Sequence, residues 1–193
     1  MISAIILAAG ESTRMREPKP LVRFGKQTFL ETILQNFKNA GIEDILIVLG
    51  HKADQITKKL NLSPDDFTVN KNYQFGQFSS VQTGVKNLQP NCTGVFLALV
   101  DQPQIGSDII AKIRKNFEDN PDKIVIPTLK GKRGHPPVLP KWLFHEILTA
   151  NPTLKTSAII RNYAHKVSEV EIDDDSILWN MNTKQDLEKI LSS

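Results

Sequence analysis

The stretch Ser3-Ala4-Ile5-Ile6-Leu7-Ala8-Ala9-Gly10-Glu11-Ser12-Thr13-Arg14-Met15 decides the fold. Ser3 to Leu7 is a short apolar run that stops at two alanines and a glycine, and a polar segment then continues to Lys19. A run with no polar face reads as a strand buried on both sides. The pattern recurs at Ile45 to Leu49, which ends at Gly50, and at Val95 to Val100, which ends at Asp101. Helical periods lie between. Phe29, Ile33, Leu34 and Phe37 share one face of a helix expected over 28–39. Thr28 and Glu31 have capping-box spacing at its start, and Gly41 is placed to end it. Ala53 to Leu60, a segment from about Ser79, a helix capped by Ser107, Trp142 to Leu148, Ala158 to Tyr163 and Thr183 to Leu191 complete the helices. Shorter strands are expected at Phe67 to Asn70, Ile124 to Pro127, Pro136 to Leu139 and Val167 to Ile172. Apolar strands alternating with amphipathic helices imply an α/β fold, a mostly parallel sheet covered on both faces.

Composition narrows the function. The chain has 193 residues, enough for one core, with 40% hydrophobic and 23% charged residues, ordinary globular values. One domain over 1–193 is expected. Its net charge of +3 and 7% aromatic content suit neither a duplex binder nor a stacking platform for single strands, so no nucleic-acid partner is expected. No apolar run is long enough to span a bilayer, and no basic segment precedes the N-terminal apolar run, so neither a membrane partner nor a signal peptide is expected. With Cys92 as its only cysteine, the chain can form no internal disulfide, which fits a reducing, cytoplasmic setting.

In parallel α/β sheets, ligands sit beyond the carboxyl ends of the strands. That rule selects Ala8 to Lys19, Gly50-His51, Asn70 to Ser80 and Asp101-Gln102. In the first segment, small residues let a ligand approach the backbone, and Arg14 and Lys19 supply a donor fork and a mobile charge suited to polyphosphate. An ordinary strand-to-helix loop with exposed Arg and Lys has the same composition. The loop has one glycine, too few for a dinucleotide fingerprint, and Gly25-Lys26 is followed by Gln27 rather than the Ser or Thr of a P-loop. Asp101, at the end of a buried strand and before Gln102-Pro103, is placed to hold a divalent ion, or simply to start the turn. Ser79-Ser80 either opens a helix toward an anion or base, or caps it. Lys130 to Leu139 is a basic, glycine-punctuated turn, a composition common at solvated hairpin tips. No nucleophile elbow or zinc spacing is present.

Leu7-Ala8-Ala9-Gly10-x-Ser12-x-Arg14-Met15 with Pro18-Lys19 resembles the signature loop of MobA-like nucleotidyltransferases, which include molybdenum cofactor cytidylyltransferases and guanylyltransferases. The resemblance implies a Rossmann-like three-layer α/β/α fold of the nucleotide-diphospho-sugar transferase type. It also implies an NTP-binding half over about 1–105 and an acceptor-binding half over about 106–193. Leu99-x-Asp101-Gln102-Pro103 is similar to the metal-binding stretch of the cytidylyltransferases, and Asn72, Gly76, Ser79, Ser80 and Gly84 match the nucleotide-side segment. By this resemblance Leu7, Ala8, Ala9, Gly10, Asn72, Ser79 and Ser80 bind nucleotide, Arg14, Lys19 and Asp101 are catalytic, and Arg133 and His135 face an acceptor phosphate. Asp101 and Asn180 are the implied ligands of Mg²⁺.

The implied reaction is attack of an acceptor phosphate oxygen on the α-phosphorus of an NTP, with pyrophosphate leaving. The acceptor is already an anion and needs no protein nucleophile, so catalysis falls to positioning and neutralisation. CTP is favoured, by Gln102 and by Ala9, which stands where the guanylyltransferases carry glycine. Molybdopterin cofactor is the implied acceptor, and a molybdoenzyme or its chaperone the implied protein partner. Three departures stand out: Arg16 where relatives have glycine, Lys155 where they have an acid, and Asn180 where they have Asp. They keep open transfer to a sugar or alditol phosphate, and a weakly catalytic nucleotide-binding or cofactor-chaperone role.

Overall fold

The computed structural model describes residues 1–15 and 17–191, with no side-chain description at 191; the Arg16 departure lies outside the described residues. Strand β1 (Ile2–Ala8) is central, and every residue from Ser3 to Ala8 is buried, Ser3 with its hydroxyl donating to Asp44. It pairs in parallel with β4 (Asp44–Leu49) on one side and with β6 (Gly94–Leu99) on the other. Strand β5 (Phe67–Val69) continues the parallel arrangement beyond β4.

On the opposite flank, β9 (Val138–Pro140) is inserted antiparallel between β6 and β7 (Ile124–Leu129), and β10 (Val167–Glu171) runs parallel to β7 at the edge. The order is β10-β7-β9-β6-β1-β4-β5, with β8 (Lys132–Arg133) hairpinned onto β7. The expected mostly parallel sheet is therefore present, and residues 1–105 and 106–193 share it through the β6–β9 pairing. A small hairpin, β2 (Arg23–Phe24) and β3 (Gln27–Thr28), lies apart.

The period of two along β1 separates two cores. Ala4, Ile6 and Ala8 face one layer with α1 (Phe29–Asn39), α2 (Ala53–Leu60) and α4 (Ser107–Asp119). Ile5 and Leu7 face the other, with α3 (Gln77–Lys86), α5 (Phe144–Thr149) and α6 (Thr156–Asn162). Burying each large aliphatic side chain there contributes about 1.5–3 kcal/mol. At the start of α1, Glu31 Oε2 accepts from the Thr28 backbone N–H at 2.7 Å while Thr28 Oγ1 accepts from Glu31 N at 3.3 Å. Gly41 follows α1 at φ 77°, the left-handed stop its composition suggests.

Several helix starts differ from expectation: α5 begins at Phe144 rather than Trp142, and α6 at Thr156 rather than Ala158. Helix α3 begins at Gln77, and its N-cap is Gly76 at φ 103°, a backbone that L side chains rarely adopt, so Ser79 sits inside the first turn. The N-cap of α4 is Gly106, leaving Ser107 at the first helical position. The C-terminal α7 (Lys184–Leu191) matters for function through the segment before it. Met181, fully buried, packs with Met15, Val22 and Phe29, and this small cluster pins the C-terminal segment to the loop after β1.

Candidate active site

The sheet reverses direction of winding at β1: the chain passes to β4 and β5 on one side, then returns to β6 on the other. The loops after β1 and β6 splay apart there and leave a cleft of about 320 Å³. Of the expected residues, the structure brings Leu7, Ala8, Ala9, Gly10, Arg14, Lys19, Ser80 and Asp101 into this one cleft. Gly10 is exposed, and a Cβ built on it would meet nothing within 4 Å, so the backbone is open to a ligand. Ser12, at φ 55°, turns the loop, and its hydroxyl accepts from Lys19 N at 3.0 Å, which fixes where the lysine leaves the chain.

At the floor, Lys19 Nζ lies 2.7 Å from Asp101 Oδ2, with the two side chains 15% and 14% exposed. The same ammonium donates to Asn182 Oδ1 at 2.9 Å, and Arg14 donates to that oxygen at 3.2 Å. Two cations, one carboxylate and one amide oxygen thus converge on one point. Asn182 was not foreseen. Met181 N donates to Asp101 O at 2.8 Å, and Asn182 is the one that enters the cleft. Asn180 is exposed, and its Oδ1 accepts from Gln102 Nε2 at 2.9 Å.

Asn72 and Ser79 lie elsewhere. They border a separate depression of about 260 Å³, where Ser79 Oγ is 2.7 Å from the Gly76 carbonyl, 3.1 Å from the Asn72 carbonyl and accepts from Asn70 Nδ2 at 2.8 Å. Their side of the structure shapes the turn that delivers Ser80. Tyr73 and Gln77 also line the first cleft and carried no motif signal. Ala9 lines the cleft, and its methyl lies near Gly50, where a Cβ would approach it to 2.8 Å.

A second, larger pocket of about 640 Å³ adjoins the first, sharing Leu7, Gly76, Gln77 and Leu99 with it. Arg133 and His135 line it. Arg133 pairs with Glu169, NH2 to Oε1 at 2.9 Å. His135 Nδ1 is buried and has no partner among the described residues. Burial pushes its pKa below the usual histidine value, opposed by a hydrogen bond to the Leu97 backbone and by the Asp101 charge.

A switch-point cleft floored by Arg, Lys and Asp, next to a second pocket, defines an α/β protein of the nucleotide-transferring class. The chain belongs to the MobA-like NTP transferase domain family, whose pattern its residues 4–167 match. It is 28% identical over 188 residues to a molybdenum cofactor cytidylyltransferase of Escherichia coli strain K12, covering 96% of this chain and 93% of that protein. It is 24% identical over 199 residues to a nicotine blue oxidoreductase of Paenarthrobacter nicotinovorans, covering 98% and 96%. The chain spans only 30% of the length of the bifunctional protein GlmU of Cellvibrio japonicus, to which it is 28% identical over 137 residues.

Among solved structures, Rv0371c of Mycobacterium tuberculosis H37Rv superposes with a TM-score of 0.83 at 25% identity, covering 100% of this chain and 97% of that one. That mycobacterial protein is also known as a manganese complex. No helix among the described residues is long and apolar enough to cross a membrane.

Proposed function

We propose that the protein transfers a nucleoside monophosphate from an NTP, with CTP favoured, to a phosphate-bearing small molecule such as molybdopterin cofactor, releasing pyrophosphate. The observation that carries this reading is the convergence of Lys19, Arg14, Asp101 and Asn182 at the floor of a small-residue cleft that opens into a second pocket. The triphosphate would lie over the loop after β1, with the base against Leu7 to Gly10 and Ser80. Lys19 and Arg14 would offset negative charge at the α-phosphate and on the leaving pyrophosphate. The acceptor phosphate oxygen forms the new bond to the α-phosphorus, the bond to the β-phosphate bridging oxygen breaks, and its electron pair leaves with pyrophosphate.

The donor set suits Mg²⁺: Asp101 offers a carboxylate, and Asn182 and Asn180 offer amide oxygens, all hard ligands. No group of three His, Cys, Asp or Glu among the described residues is arranged to hold an ion alone, in keeping with a cation shared with substrate phosphates. Such an ion neutralises phosphate charge and polarises the reacting phosphorus. Asn182 is the better-placed amide ligand, since it shares the cleft with Asp101.

Lys155, on the wall of the second pocket, favours a second reading, the same transfer to a sugar or alditol phosphate. The test is a matrix of NTPs against phosphate acceptors, scored by pyrophosphate release in the presence of Mg²⁺. Release with CTP and molybdopterin supports the first reading, and release with a sugar or alditol phosphate alone supports the second. Release with no acceptor would refute both.

A further inference from the structure

The second pocket has an uneven distribution of charge. Its body is apolar, built from Leu7, Leu97, Leu99, Ile126 and Ile160, with Phe75 exposed at the rim. Four basic residues line it, and among the described residues no Asp or Glu does. Two of the four are accounted for. Arg133 is held by Glu169 at 2.9 Å, and His135 lies within reach of the Asp101 charge, near the nucleotide cleft.

The other two, Lys155 and Arg161, line only the second pocket. Both side chains are exposed, and neither forms an ion pair with a described residue. The hydroxyl-bearing residues Thr156 and Ser157 stand between them in sequence and line the same wall. Unpaired cations and hydroxyls on the wall of a pocket with an apolar body are complementary to an anion, and they would repel a cationic group there.

We infer that the acceptor carries a second anionic group, a carboxylate or phosphate, which Lys155 and Arg161 bind on the wall of the pocket that the first cleft does not share. This rests on the reading of that pocket as the acceptor site. The acceptor is then an apolar-bodied molecule with an anion at each end. One anion is the phosphate that attacks, and the other sets orientation and discriminates against acceptors lacking it.

Benzyl phosphate and 4-carboxybenzyl phosphate test the idea, because they differ only in the distal charge. Their binding is measured by calorimetry to the full chain with Mg²⁺ and a non-hydrolysable CTP analogue. The parent is expected to bind the carboxylated probe about tenfold more tightly, the ratio that one charge-assisted hydrogen bond supplies in a partly exposed pocket. Lys155→Glu and Arg161→Gln should each reduce that ratio toward one. Both positions are exposed, and unchanged thermal melting checks that the variants fold. Equal binding of the two probes by the parent would overturn the inference while leaving the acceptor pocket intact, as would variants that keep the tenfold ratio. Binding of neither probe, with the CTP analogue still bound, would overturn the acceptor assignment and the inference with it.

Discussion

Replacing Lys19 by alanine removes the cation at the centre of the cleft floor. Its ammonium lies 2.7 Å from Asp101 and 2.9 Å from Asn182. At 2.7 Å and an effective dielectric constant of about 20, the Coulomb attraction is about 6 kcal/mol. Desolvation of both charges offsets most of it, so the net loss of stability is expected near the about 1.5–3 kcal/mol of a hydrogen bond to a charged group. The kinetic loss should be larger. Deleting one preorganised stabiliser of transition-state charge costs about 10²–10³ in kcat, or about 2.7–4 kcal/mol. The double variant Lys19→Ala, Asp101→Ala separates the two effects. With no unpaired charge left behind it should regain stability over Lys19→Ala, because removing both partners of a pair costs less than removing one. It should regain no activity. The assays are urea unfolding, and pyrophosphate release at saturating NTP with the acceptor found in the matrix. Lys19→Ala within about fivefold of the parent in kcat, with its fold intact, would refute the mechanism.

Three further outcomes are expected. Asn182→Asp should lower the Mg²⁺ concentration required for turnover by about tenfold, since it adds a carboxylate inside the cleft, whereas Asn180→Asp should shift it by less than about twofold; equal shifts in metal titrations would place the second ligand elsewhere. Thr28→Ala should cost about 1 kcal/mol in urea unfolding through loss of the cap on α1, and a loss below about 0.3 kcal/mol would mean the cap is replaced by water. His135 has a folded pKa below its ordinary 6.5, so the unfolded chain takes up the proton first, and stability is lost as pH falls from 6.5 toward the folded value. The drop in urea midpoint between about pH 7.5 and about pH 5.5 should therefore be smaller in His135→Asn than in the parent, and an equal drop would show that His135 is not held neutral.

Strands without a polar face can only be buried on both sides, so Ser3 to Leu7, Ile45 to Leu49 and Val95 to Val100 already specified a covered, mostly parallel sheet. Local chemistry likewise specified the α1 cap and its Gly41 stop, because both depend on contacts within a few residues. The loop from Leu7 to Lys19 and the strand-end Asp101 marked the site, since ligands of such sheets gather where strands end. Three-dimensional packing decided the remainder. The motif carries Asn at both 180 and 182, and only long-range packing decides that 182 meets Lys19 while 180 meets Gln102. Ser79 and Ser80 are adjacent and chemically alike, and both hydroxyls accept from Asn70, yet with the helix beginning at Gln77 only Ser79 bonds the Gly76 turn and only Ser80 lines the cleft. The Ala9 methyl lies on Gly50, a neighbour 41 positions away that no local pattern names. A sequence determines periodicity and local capping because those depend on residues a few positions apart. Which of two equivalent side chains reaches a site depends on contacts between segments far apart in the chain, and those exist only once the sheet and its two layers have formed.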